Sequence, residues 1–289
     1  MPNRRSVLAA AGAWAAAPAL RAQPGWPAKP IMLVVPFAPG GIADITARSV
    51  ADAMGRTLGQ PIVIDNRPSA GSIVASTLVA QAAPDGYTLL LMSNANAVSP
   101  GLFRKLPFDV IRDFAPITTL GFFDLGLFVA SGSRFTSLRQ VVAYAKASPG
   151  KLTIGSIAVG STQQLAAELF KTRAGIDALI VPYKGTPAVL TALRAGEIDL
   201  AFEILGPMLA QVDAKVVDVL AITSAERYAA LPAVPTVIES GVAGYEVASW
   251  NALAAPARTP PAVIERLNRA AHEALAQPAV RARLQQLGV

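Results

Sequence analysis

Short apolar runs closed by glycine- and proline-rich turns alternate along this chain with stretches whose apolar residues recur at helical spacing. Residues 31–36 form an apolar run that ends in the loop 37–41. Ile42, Ile45, Val50, Met54 and Leu58 then mark one face of a helix closed near Gly59. Residues 61–65 read as a second strand, 72–83 as a second helix, and 87–92 as a third strand entered from the Pro84-Asp85-Gly86 turn. Such alternation implies a parallel sheet covered by helices. The pattern then restarts, with a helix over 138–147, a strand over 152–155, a loop over 156–161 and a helix over 162–172. A strand over 180–182, a helix over 187–195 and a strand over 198–202 follow. Two similar α/β lobes are therefore expected.

Two apolar stretches test for a membrane. Residues 7–20 follow Arg4 and Arg5 and precede small residues ending at Ala22. They are too short for a bilayer, which needs about 20 residues, and match a secretory signal peptide over residues 1–22. Asn3-Arg4-Arg5-Ser6-Val7-Leu8 also fits a twin-arginine signal, so export by either the Sec or the twin-arginine route is open. Residues 114–132 carry only Asp124 as a charge, but Pro116, Thr118, Thr119 and glycines interrupt them. Two buried strands are expected there rather than a span.

Charge and inventory narrow the chemistry. The formal net charge is +6, and the leader removes three arginines and no acid, leaving 22 basic residues against 19 acidic ones. These are scattered without interleaved aromatics, so no nucleic-acid surface is expected. With no cysteine there is no disulfide framework. The single histidine, His272, sits on a C-terminal helix, so no metal cluster, HExxH or CxxC exists, and no GxSxG elbow presents a serine to it. No zinc or redox-metal site is expected. Asp44, Asp65, Asp85, Asp199 and Glu203 fall near element ends, where caps and turns account for most acids.

Each lobe carries a glycine-bearing loop between a buried strand and a helix start: PFAPGGIAD at 36–44 and GSIAVGST at 155–162. Loops at the carboxyl ends of parallel strands hold ligands, and the helix behind them offers free N–H groups to an anion. The second loop resembles a phosphate loop, but Ser161 stands where the lysine is needed, which disfavours a nucleotide. A carboxylate needs less. Hydrogen bonds to charged groups contribute roughly 1.5–3 kcal/mol each, so about five outweigh the ~8 kcal/mol of micromolar capture. The expectation is that peptide amides, one set per lobe, neutralise the acid without an arginine clamp. The ligand-binding candidates are Phe37, Ala38, Gly40, Gly41 and Asp44 in the first loop, and Ser156, Gly160, Ser161 and Thr162 in the second. Ser93, Asn94 and Glu203, at strand ends, complete the set. Lys184 is a weaker candidate, more in keeping with a solvated turn.

The segments PAKPIMLVVPFAPGGIAD, NRPSAG, APDGYTLLL, YAKASPGKLTIGS, VPYKGTPAVLTALRAGEIDLAF, ALPAVPTVIESGVAGYEVASW and APARTPPAVIERLN resemble the tripartite tricarboxylate transporter substrate-binding proteins, also called the Bordetella uptake gene family. The resemblance runs from about Trp26 to Gly288. It implies a type II periplasmic binding protein-like α/β fold, two lobes with a hinge and an interlobe cleft. It also implies capture of a small organic acid for membrane permease subunits, with no cofactor and no catalysis. The loops 37–41 with Asp44 and 156–162 would hold the ligand, Asp44 shaping its loop rather than touching the anion. The chain departs from the family where Ser69-Ala70-Gly71-Ser72-Ile73 replaces the usual Gly-Ala-Gly-Gly-Asn. It departs again where Gln164 replaces a common histidine, and where Glu203 replaces Asp or Asn. The family also typically continues for another helix past Gly288. The expected organisation is a leader at 1–22, a first lobe from 23–125 plus 223–289, and a second lobe from 126–222, in a periplasmic monomer. Two other classes share these features: a secreted enzyme acting on a carboxylate, which needs Asp44 and Glu203 to converge, and a ligand sensor for a membrane partner.

Overall fold

The computed structural model describes residues 25–288; the expected leader, 1–22, lies outside them. The first lobe begins with β1 (Ile31–Val35), α1 (Ile42–Leu58), β2 (Ile62–Asn66), α2 (Ile73–Ala80), β3 (Thr88–Ser93) and α3 (Asn94–Leu102). A single 3-10 turn, Ala70–Ser72, precedes α2, which is shorter than the expected helix and stops at Ala80 rather than 83. Helix α1 forms because Ile42, Val50, Met54 and Leu58 share a buried face, and Gly59 in the left-handed conformation closes it.

β4 (Phe114–Ala130) is one 17-residue strand where two were expected. The residues that interrupt its apolar pattern do not end it. Register shifts between Pro116 and Thr118 and between Thr119 and Gly121 absorb them as irregularities in a continuous ladder. β4 is the shared strand of the molecule. Phe114 to Asp124 pair antiparallel with β9 (Ala248–Pro256), whereas Leu125 to Ala130 pair with β7 (Leu200–Ile204) and β8 (Val217–Ile222).

The second lobe continues with α4 (Leu138–Ala147), β5 (Leu152–Ile157), α5 (Thr162–Ala174), β6 (Ala178–Tyr183), α6 (Thr186–Arg194), β7, α7 (Leu205–Asp213) and β8. After β9, helices α8 (Pro261–Ala276) and α9 (Pro278–Gln286) pack on the first lobe. The strand path is β2-β1-β3-β9-β4-β7-β5-β6, with β8 on β4. The parallel pairs β1·β2, β1·β3, β5·β6 and β5·β7 build the two expected α/β units around the antiparallel crossover.

Burial follows the two lobes. Leu33, Val50, Met54, Leu91 and Leu253 fill a first-lobe core, and Leu127, Val141, Ile154, Phe170 and Phe202 a second-lobe core. Within 223–247, which the sequence pattern grouped with the first lobe, Val237, Val242 and Tyr245 enter the second-lobe core. The Tyr245 hydroxyl donates to the Ala166 carbonyl at 2.9 Å. No helix among the described residues is long and apolar enough to cross a membrane.

Candidate functional site

The loop between β1 and α1 is fixed from behind. Asp44, almost fully buried, accepts from the Gly40 amide at 3.1 Å, from Asn66 Nδ2 at 3.0 Å and from Arg48 Nε. The same Asn66 nitrogen donates to the Phe37 carbonyl at 3.0 Å. Gly40 has φ +87°, which a side chain would strain, and this turn delivers its amide to Asp44. Burial alone would raise the Asp44 carboxyl, but the Arg48 guanidinium and the Gly40 and Asn66 donors outweigh it and hold it below the usual range.

A small cavity lies where this loop meets the second lobe. Three helices begin on its wall: α1 with Gly41, Ile42 and Ala43, α5 with Thr162 and Gln163, and α6 with Gly185 and Thr186. Their caps differ. Ser161 caps α5 by accepting from the Gln164 amide, whereas α1 and α6 have the glycine N-caps Gly41 and Gly185 with no side-chain cap. First-turn amides of a helix have no acceptor inside it, and the helix dipole favours an anion at that end. Two such uncapped ends therefore meet across the cavity, with Gly41 beside Thr186 and Gly40 beside Pro187; because Pro187 has no N–H and the Ala188 amide bonds the Gly185 carbonyl, α6 offers the Gly185 and Thr186 amides alone. Phe37, Pro68, Ile157 and Ile204 add apolar wall, and Ser93, Ser249 and Asn251 add polar groups from the ends of β3 and β9. Among the described residues no arginine lines the cavity, but Lys184 does, from an exposed position, so a cation stands near the amides after all.

The lobes are in contact around this cavity. The Gly71 amide donates to the Val159 carbonyl at 2.8 Å, and the Thr162 and Ser249 hydroxyls lie 2.8 Å apart. Gly160 packs against Gly71 and Leu102, and Gly185 against Ala38.

Of the candidates read from sequence, Phe37, Ala38, Gly41, Ser93 and Thr162 line the cavity. The others do not. Gly40 and Asp44 bond each other behind the loop. Asn94 starts α3 and donates to the Ala248 carbonyl at 3.3 Å. Ser156 lies inside β5, which runs two residues further than expected, and its hydroxyl bonds the Ile157 carbonyl. Ser161 is spent on its cap, and Gly160 on the contact between lobes. Glu203 sits behind the wall, fully buried, with Oε2 accepting from Thr186 Oγ1 at 3.0 Å and Gln163 Nε2 at 3.3 Å. No protein group donates to Oε1. Burial pushes its carboxyl up to about 7. The two acids that a hydrolytic reading needs are thus tied separately, Asp44 to first-lobe donors and Glu203 to second-lobe ones. His272 is exposed, with Thr118 Oγ1 3.4 Å away. Among the described residues no three His, Cys, Asp or Glu side chains gather as metal ligands.

Sequence reasoning missed Gln163, Gly185, Thr186, Ser249 and Asn251. One signal was available: Gly185-Thr186-Pro187 is a glycine cap ahead of a proline in the first turn, the same grammar as a helix start.

The model of the tripartite tricarboxylate transporter family receptor matches residues 46–289. The solved periplasmic binding protein BugD superposes with a TM-score of 0.87 at 32% identity, covering 91% of this chain and 88% of BugD. MatC from Rhodopseudomonas palustris, solved with bound malate, gives 0.86 at 33% identity over 91% of this chain and 90% of MatC. A further R. palustris protein, solved with adipate, gives 0.84 at 34% identity over 91% and 88%.

Proposed function

The chain belongs to the tripartite tricarboxylate transporter receptor family, and from that premise we propose that it is an exported, monomeric solute-binding protein. It captures a small carboxylate between its lobes in the periplasm and hands it to membrane permease subunits. The observation that carries this reading is the pair of uncapped helix starts, α1 and α6, meeting across one cavity. Their amides supply the donors for a carboxylate, Lys184 adds charge at the edge, and the apolar wall of Phe37, Ile157 and Ile204 receives the ligand's carbon chain. Malate in MatC and adipate in the second R. palustris protein supply the chemical class.

Closure follows from the same geometry. A carboxylate bonded to α1 and α6 at once favours the arrangement in which those helices meet, and β4 and β9 form the hinge. The separate tethering of Asp44 and Glu203 supports a carrier over an enzyme, because neither acid is presented to a ligand together with the other.

Isothermal titration with malate, succinate, adipate, benzoate and free amino acids tests the reading. Saturable binding of one or more of the acids, with the ligand recovered unchanged, is expected. Consumption of a ligand, or binding of amino acids alone, overturns it.

A further inference from the structure

The described residues include two buried acids, Asp44 and Glu203. Asp44 has an arginine partner. Glu203 has none, although it lies directly behind two residues of the cavity wall, Thr186 and Gln163. β7 is buried along its whole length, and the Glu203 side chain with it. The elements packed around it turn neutral groups toward it: α5 offers Gln163, α6 offers Thr186, β4 places Gly126 in register, and β7 itself contributes the Ile204 amide. Charges on those elements stand elsewhere. Lys184 is exposed ahead of α6, and Arg194 closes that helix. Glu168, Lys171 and Arg173 follow the first turn of α5, and Asp124 on β4 bonds Ser224.

An ionised Glu203, bonded to no cation, would set a negative charge at the base of a cavity built to receive an anion. Like charges in a desolvated site cannot both stay ionised cheaply. We propose that Glu203 takes up one proton as the carboxylate ligand binds, so that the protein captures an acid anion and a proton together. The proton comes from bulk buffer and rests on the Glu203 carboxyl. The ligand stays ionised, held by the amides of α1 and α6, and the Thr186 and Gln163 contacts persist to the neutral acid. The inference rests on the carboxylate reading above and names a second, coupled ligand for the same site.

The linkage sets the size of the effect. In the free protein burial already pushes the carboxyl up to about 7, and a bound anion pushes it further. With the carboxyl held protonated in the complex, affinity falls by up to about tenfold between pH 6 and pH 8.

The test is titration calorimetry of the full secreted chain with malate and with adipate, each at pH 6 and pH 8, in buffers of different ionisation enthalpy. Uptake approaching one proton at pH 8, with the tenfold loss of affinity, is expected for the natural chain. Glu203→Gln should bind with no proton uptake and no such pH dependence. Binding without proton uptake at pH 8 overturns the proposal and leaves the carrier reading standing. Uptake that survives in Glu203→Gln assigns the proton elsewhere and also overturns it. Failure of both acids to bind removes the carboxylate premise and the proposal with it. Should Glu203→Gln not fold, infrared difference spectra of the natural chain at pH 8 decide: a protonated-carboxyl band that grows on adding the acid supports the proposal, and its absence refutes it.

Discussion

Gly185 is the position at which one added carbon tests closure without touching the fold of either lobe. Its backbone is extended, φ 169° and ψ 171°, so alanine adopts it without strain. A Cβ there would lie 3.0 Å from the Ala38 Cβ of the opposite lobe, whereas carbon atoms settle at about 3.5–4.0 Å. Gly185→Ala therefore forces the loops apart by roughly half an ångström or more, but only when the lobes meet. Overpacking of this size costs about 1–3 kcal/mol. Because the cost falls on the closed state alone, it lowers the closed population and weakens ligand affinity by roughly 5- to 150-fold. The α6 amides survive the substitution, so the anion donors are unchanged. Calorimetry with malate measures the loss, small-angle scattering reports an opened molecule, and denaturant unfolding without ligand should change little. The second substitution Ala38→Gly returns the missing space, and the double variant should recover most of the affinity. Unchanged affinity in Gly185→Ala, or no recovery in the double variant, would refute the reasoning.

Three further outcomes follow from the same contacts. Thr162→Val removes the hydroxyl pair with Ser249 and should weaken capture by about fivefold, the worth of ~1 kcal/mol for one hydrogen bond, read by calorimetry. In the ligand-free protein Glu203, raised from 4.5 to about 7, stabilises the fold fully below its unfolded value and loses that contribution as pH rises through 7. The loss amounts to ~3 kcal/mol, and urea unfolding of Glu203→Gln should lack this decline; parallel pH curves for both proteins would contradict the assignment. Asp44 is shifted the other way, so its contribution exists above the unfolded carboxylate value and vanishes as pH falls below it. Asp44→Asn should destabilise the protein at pH 7 by about 1–2 kcal/mol and by less at pH 3, measured by the same unfolding series.

What the sequence made legible is the part governed by local pattern. The spacing of Ile42, Val50, Met54 and Leu58, the Gly59 stop, and the glycine loops ahead of α1 and α5 are each decided within a single element and its flanks, and the structure places those elements accordingly. Glycine ahead of a helix marked the first-lobe loop, of which Phe37, Ala38 and Gly41 line the cavity. At Gly185 the sequence reading began the helix at Pro187 and left Gly185 and Thr186 outside it, so the partner of α1 was sought at 156–162, where Ser161 caps its own helix. Hydroxyls deceive in this way generally: Ser156 and Ser161 have the chemistry of ligand donors, but a serine beside a strand end or helix start bonds the main chain first.

The rest depended on long-range placement. Ser249 and Asn251 reach the cavity because β9 returns between β3 and β4, pairing Asn251 with both Ser93 and Gly121, and nothing within residues 248–256 states where that strand inserts. Glu203 was unreadable for a sharper reason. A strand with one solvated face alternates, and alternation tells which way each side chain points. In Leu200–Ile204 every residue is buried, so the pattern carries no face, and an acid there could front the cavity or stand behind it. Only the bonds from Thr186 and Gln163 decide, and they put the carboxylate one layer back, where it acts on a ligand through charge rather than contact. That placement also explains how an acid can occupy the second lobe of an anion receptor. Held neutral it leaves the amide field of α6 intact, and ionised it would oppose that field at close range.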